Sequence, residues 1–364
     1  MATSQGRGAV KPVRVLIIDD SATMRKIIRF ALEADTGIEV VGEAPDPTEA
    51  FRLVDTLDPD VITLDIEMPK MNGIDFLRRV MKHRPRPVIM VSTLTVNGAA
   101  TTIEALARGA FDCVAKPTLT DSASFAELAE KVRAAGARRR RAGAPERSPT
   151  PRGAGAPPVG ELPTIGVKAI AVGASTGGVE ALIAMLTAFP ADCPPTVITQ
   201  HMPANFTKSF AERLDRMCRP RVQEAQDRTA LARGNVYVAP GGDQHLEVVR
   251  RGDGLESRLR AGETVSGHRP SVDVLMTSVA AAAVGDAVGV ILTGMGKDGA
   301  QGLLAMRQAG ARTIGQDEAS SLIYGMPRVA FEVGAVEKQI ALNGIARAIF
   351  VGAATRKEGT SCHS

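Results

Sequence analysis

The sequence predicts an α/β protein built from two doubly wound, mostly parallel domains joined by a linker of low complexity. Three observations predict it. Short β-branched runs alternate with segments of helical length from residue 13 to about 135, and the alternation resumes after residue 164, as in sheets of parallel strands with helices on both faces. Between them, residues 136–163 read "GARRRRAGAPERSPTPRGAGAPPVGELP", a stretch rich in Arg, Pro, Gly and Ala with no apolar periodicity and no means of burying a face. The chain has 364 residues, 44% of them hydrophobic, enough for two cores of ordinary size.

Charge and composition narrow the function classes. The net charge is +4 and the pI near 9.0, and much of that excess lies in the run "GARRRRAG", which reads as a solvated linker face. With no Trp and two Tyr there are few stacking platforms for nucleic acid, so no nucleic-acid partner is expected. Cys113, Cys193, Cys218 and Cys362 form no CxxC pair, which suggests neither a zinc site nor a disulfide framework. The N-terminal "MATSQGRGAV" lacks an apolar signal core, and the apolar stretch from Ser278 to Ile291 is broken by Asp286 and two glycines. A soluble, cytoplasmic protein without membrane insertion is the expectation.

In the first domain, residues 12–135, the strands are "VRVLIID", "EVVGEA", "DVITLD", "PVIMVS" and "DCVAKP". Five strand–helix repeats predict a flavodoxin-like (βα)5 sheet with its chemistry at the carboxyl ends of the strands. Those ends carry Asp19 and Asp20 in "LIIDDS", Asp65 in "ITLDIEMP" and Lys116 in "CVAKP". Three carboxylates converging on one crevice repel unless a hard cation joins them. Mg²⁺ suits such a set and leaves room for phosphate oxygens; one carboxylate could then attack phosphorus. The domain resembles a response-regulator receiver over its whole length. The resemblance implies that Asp65 accepts the phosphoryl group, that Asp19, Asp20, Asp65 and the backbone at Glu67 hold Mg²⁺, that Lys116 contacts the phosphoryl group, and that Ser92 senses it. It also implies a cis Lys116–Pro117 bond. One departure stands out: Cys113 occupies a position that is usually aromatic.

In the second domain, residues 164–355, the strands are "VKAIAVGAS", "PPTVITQHM", "NVYVAPG", "HLEVVRR", "AVGVILTGM" and "ARTIGQD". The short spacing between "NVYVAPG" and "HLEVV" predicts that these two form an antiparallel hairpin in a mostly parallel sheet. The pentapeptide "GASTG" has the G-x-S-x-G spacing that lifts a serine above the sheet on a tight strand-to-helix turn. The plain alternative is that Ser175 caps the next helix. A dinucleotide fingerprint would need glycine where Ser175 stands. His201 ends the next strand and offers an imidazole base at the same sheet edge. Asp298, in "VILTGMGKDGAQGL", reads alone as a helix cap. With Ser175 and His201 it completes a nucleophile, base and orienter, in the order Ser, His, Asp rather than the Ser, Asp, His of α/β-hydrolases.

The segments "GASTGG", "QHMP", "YVAPGGDQH", "HRPSVDVLM", "LTGMGKDG" and "YGMP" resemble those of the CheB family of chemotaxis protein-glutamate methylesterases, and so does the receiver–linker–catalytic order. The resemblance implies that Ser175 is the nucleophile, His201 the base and Asp298 the orienter, with the backbone at Thr176 and the Met295 loop as candidates for the oxyanion hole. It implies hydrolysis of glutamate methyl esters, and deamidation of glutamines, on methyl-accepting chemotaxis receptors, activated by a histidine kinase as phosphodonor, with no cofactor for the hydrolysis. The alternative is a response regulator whose second domain binds rather than hydrolyses. A DNA-binding output would need a compact helical recognition unit, which residues 164–350 do not suggest.

Overall fold

The structure, a computed structural model, describes residues 11–68, 73–93, 95–117, 122–142 and 166–351. The chain forms two compact units. Among the described residues up to 142, strand and helix alternate: β1 (Val13–Ile18), α1 (Ala22–Glu33), β2 (Ile38–Ala44), α2 (Pro47–Leu57), β3 (Val61–Asp65), α3 (Gly73–His83), β4 (Val88–Ser92), α4 (Val96–Ala107), β5 (Asp112–Ala115) and α5 (Ser122–Ala142). The five strands lie parallel in the order β2-β1-β3-β4-β5, the flavodoxin order. Every residue of β3 and β4 is buried, which is why they read as unbroken apolar runs rather than alternating ones.

Helix α5 runs on to Ala142, past the domain end expected at residue 135. Arginine is a good helix former, and two members of the run are tied down. Arg139 hydrogen-bonds the Pro59 carbonyl and pairs with Asp58 at 3.2 Å; Arg140 donates to the carbonyls of Lys11 and Pro12 at 2.6 and 2.9 Å. This part of the run is therefore a docked helix end and not a solvated linker. The rest of the expected linker, residues 143–163, lies outside the described residues, as does the tail "RKEGTSCHS". Lys116–Pro117 is not cis, contrary to expectation; among the described residues Arg269–Pro270 is the cis bond. X-Pro isomers differ by only about 0.5–1 kcal/mol, so a short motif does not determine which one folding selects.

The second unit contains β6 (Ala169–Ala174), α6 (Gly178–Leu186), β7 (Thr196–Gln200), α7 (Phe206–Met217), β8 (Arg221–Glu224), β9 (Thr229–Ala230), β10 (Asn235–Val238), β11 (Gln244–Arg251), β12 (Gly254–Ala261), α8 (Val272–Ala283), β13 (Ala287–Ile291), α9 (Ala300–Gln308), β14 (Arg312–Gln316), α10 (Met326–Glu332), β15 (Lys338–Ile340) and α11 (Leu342–Val351). Seven strands form a parallel sheet in the order β15-β14-β13-β6-β7-β10-β8, and three form a separate antiparallel sheet, β11-β12-β9. Leu275, Met276 and Val279 of α8 are buried with Leu246 and Val248 of β11 and Ala171 of β6 in one core.

A hairpin is present, but with a different partner from the one expected. β11 pairs with β12, Arg251 opposite Gly254, across a turn in which Gly252 has φ +58°; β10 stays in the parallel sheet between β7 and β8. The signal was weak because "GLESRLRA" is a polar strand of a small, half-exposed sheet. The "GG" between β10 and β11 serves a different need: a Cβ on Gly241 would stand 2.7 Å from the carbonyl oxygens of Met202 and Pro203.

Candidate functional site

The sheet register sets the site. Ala174 pairs with Gln200 at the ends of β6 and β7, so Ser175 and His201 leave the same edge side by side, and the His201 N–H donates to the Ala174 carbonyl at 3.1 Å. β13, which lies on the other flank of β6, leads into the loop that carries Asp298. After β6 the chain goes first to β7 on one side and later to β13 on the other. This is a topological switch point, the place where open α/β sheets bind ligands.

Ser175 does not cap α6. The cap position belongs to Gly177, with φ +80° and no side-chain bond, a conformation that costs glycine nothing. Ser175 is 9% exposed. Its N–H donates to the Thr293 carbonyl at 3.1 Å, and its carbonyl accepts from the Gly178 N–H at 2.7 Å and from Gln200 Nε2 at 2.9 Å. Asp298 likewise does not cap its own helix, since α9 starts after Gly299 without a side-chain cap. Its carboxylate sits at the start of α8, accepting from Ser271 Oγ (2.8 Å), the Val272 N–H (2.7 Å) and the Asp273 N–H (3.0 Å). An anion is stabilised there by free N–H groups and the helix dipole.

The remaining bond of Asp298 goes to His201 Nε2, at 2.8 Å. Burial pushes the Asp298 carboxyl up, but the hydrogen bond and charge of His201 and the N–H groups of Val272 and Asp273 outweigh it and hold the group at about 2. An ionised Asp298 needs a proton on Nε2. Nδ1, which is buried without a hydrogen-bond partner, then keeps a lone pair, as a general base requires. Burial, with the charge of Asp298, raises the carboxyl of neighbouring Asp273. Thr176 is buried next to Ser175. Met295 follows Gly294, where a Cβ would stand 2.8 Å from the Ser175 Cβ. Thr176 thus adjoins Ser175 in the chain, and the residue before Met295 packs against it.

Several residues of this site were not read from the sequence. The His268 ring stacks on His201 with centroids 3.6 Å apart and planes 12° from parallel. Ser271 both caps α8 and holds Asp298. His245, 1% exposed, accepts from the Ser271 N–H through Nδ1 and bonds the Glu263 carbonyl through Nε2. The segment "HRPSVDVLM" contains two of them, but a loop histidine and a helix-capping serine carry no sign of which distant carboxylate they meet.

In the first unit, Asp19 and Asp65 are buried and Asp20 is exposed, and oxygens of the three lie within 4.8 Å of one another. Lys116 Nζ reaches Asp65 at 2.8 Å and Asp19 at 3.0 Å. Burial and then the charge of Asp65 raise the Asp19 carboxyl despite Lys116, while Lys116, which burial alone would lower, is raised by the two carboxylates. One ammonium among three carboxylates leaves the cluster negative, so the donor set fits a hard divalent cation. Glu67 adjoins the cluster, its N–H donating to Asp65 Oδ1 at 3.3 Å. Ser92 is buried at the end of β4. Cys113 is a fully buried thiol pushed up to about 12 by burial and by Asp112: a small core residue, not a ring that can rotate outward.

Fold and site define a hydrolase-class α/β protein that carries a receiver domain. Residues 170–349 match the CheB methylesterase family model and residues 15–127 the response regulator receiver domain. The protein-glutamate methylesterase/protein-glutamine glutaminase 1 of Caulobacter vibrioides is 58% identical over 95% of this chain and 99% of its own. That of Rhizobium johnstonii is 55% identical over 96% and 99%. The crystal structure of the Thermotoga maritima CheB methylesterase catalytic domain superposes with a TM-score of 0.50 at 32% identity, covering 51% of this chain and 99% of that one. The chain belongs to the CheB methylesterase family.

Proposed function

We propose that this protein hydrolyses glutamate γ-methyl esters, and deamidates certain glutamines, on the cytoplasmic helices of chemotaxis receptors, and that phosphorylation of its receiver raises this activity. The observation that carries the reading is the buried Asp298–His201 pair beside Ser175 at the switch point of the sheet. Ser175 Oγ attacks the γ-carbonyl and His201 Nδ1 takes its proton. The N–H groups around Thr176 and Met295 stabilise the oxyanion. His201 returns the proton to methanol as it leaves. Water, deprotonated by His201, then cleaves the acyl-enzyme. Asp298 keeps the ring in the working tautomer and stabilises the imidazolium. Deamidation asks more of His201 as an acid, because ammonia is the poorer leaving group.

In the receiver, Asp65 takes a phosphoryl group from a histidine kinase. Asp19, Asp20, Asp65 and the Glu67 backbone would hold Mg²⁺, which when bound would supply charge neutralisation. Lys116 screens the phosphoryl oxygens and Ser92 responds to them. Adaptation in chemotactic signalling is the role this activity serves, and the cytoplasm is where such receptors present their helices; among the described residues no helix is long and apolar enough to cross a membrane. The test is methanol release from methylated receptor membranes. Ser175→Ala should abolish it, and retained turnover would refute the assignment.

A further inference from the structure

Gln200 has no chemical step in this scheme, yet it is 3% exposed and aimed at the backbone of both reacting residues. Its Nε2 donates to the Ser175 carbonyl at 2.9 Å and to the His201 carbonyl at 3.2 Å. Its Oε1 is buried without a hydrogen-bond partner. A Cβ on Gly178 would stand 1.9 Å from that oxygen, so the second glycine of "STGG" leaves the space the carboxamide fills. A buried oxygen left without a partner is costly, whereas the donor end of the same carboxamide makes both of its bonds to backbone carbonyls.

We propose that Gln200 is a positioning residue for hydrolysis: its carboxamide ties the carbonyl of the nucleophile to the carbonyl of the base, so that the turns after β6 and β7 keep Ser175 and His201 at one separation. The proposal rests on the triad reading given above. The backbone bonding supports it. The Ser175 N–H is held by Thr293 and the His201 N–H by Ala174; the Ser175 carbonyl also accepts from the Gly178 N–H, and Gln200 is the side chain that bonds both carbonyls and so bridges the two residues. A displacement of ~1 Å in a reacting pair can cost roughly 100-fold in rate.

The experiment measures methanol release from methylated receptor membranes by the full chain, together with the rate at which a fluorophosphonate labels Ser175. Gln200→Met should lower kcat by roughly 10- to 100-fold, slow labelling in parallel, and leave the receptor KM within about 2-fold, because the loss is in alignment and not in docking. In Gln200→Glu the protonated carboxyl still donates one bond and the carboxylate none, and burial raises its pKa. Activity of that variant should therefore fall with rising pH across a range where the parent is level. Parental kcat and labelling in Gln200→Met, or a Gln200→Glu pH profile that superposes on the parent's, would overturn the proposal while an inactive Ser175→Ala leaves the triad standing. Turnover and labelling in Ser175→Ala would remove the triad and the proposal together. If Gln200→Met does not fold, the Gln200→Glu profile decides alone.

Discussion

Asp298 illustrates how a residue's role depends on what surrounds it. In sequence it stands just before a helix and reads as that helix's cap, yet its carboxylate binds the first N–H groups of a different helix, α8, whose cap is Ser271, and directs its remaining bond to His201. Because its carboxyl is held at about 2, below the ordinary 3.8, it contributes stability that is fully present above the ordinary value and lost as pH falls through about 2. The melting temperature of the parent should therefore exceed that of Asp298→Asn by a margin that narrows between about pH 4 and pH 2; a margin that stays constant would contradict this. His268 makes the second residue-scale case. A flat ring whose centroid lies 3.6 Å from that of His201 packs against one face of that imidazole. His268→Ala should lower kcat by roughly 10-fold, and His268→Phe, which keeps a flat ring, should restore most of it. Equal rates in the two variants would show that stacking is not what matters.

At the scale of elements, the site is assembled by strand ends and one helix start. β6 and β7 place Ser175 and His201 by register, and α8 binds Asp298 through its first N–H groups and Ser271. Ser271→Ala removes both the α8 cap and a donor to Asp298. It should cost about 1–2 kcal/mol of stability and lower kcat as well; denaturant unfolding and methanol release measure the two effects separately. A stability loss with unchanged kcat would mean that Ser271 acts on the helix alone. The strands of the parallel sheets were legible because burial on both faces leaves long β-branched runs, as in β3, β4 and β6. The β11–β12 pairing and the length of α5 were not, because a polar strand and an arginine-rich helix end take their structure from what they dock against.

At the scale of the whole molecule, the acidic cluster with Lys116 and the group Ser175, His201 and Asp298 share no residue. On the proposed function, a phosphoryl group on the buried Asp65, which pairs with Lys116, would change the charge of the receiver and bias it between two states. Asp65→Asn should leave a low basal esterase activity that a small-molecule phosphodonor cannot raise, measured as methanol release with and without the donor. Normal stimulation of that variant would break the regulatory link.

Taken alone, the sequence predicted the parallel α/β sheets and the acid cluster with its lysine, both of which the structure contains, and it singled out Ser175, His201 and Asp298, of which the structure joins the last two by a hydrogen bond. Strand periodicity and residue chemistry are local properties, and each of these residues sits at a strand end or in the loop that follows one. Only the tertiary structure decided which histidine nitrogen meets Asp298, that His268 stacks on His201, that Ser271 bonds Asp298 and Gln200 the carbonyls of Ser175 and His201, and which strand completes the hairpin. Those are contacts between residues far apart in the chain, selected by packing and by the need to satisfy buried polar groups, and no local pattern records them.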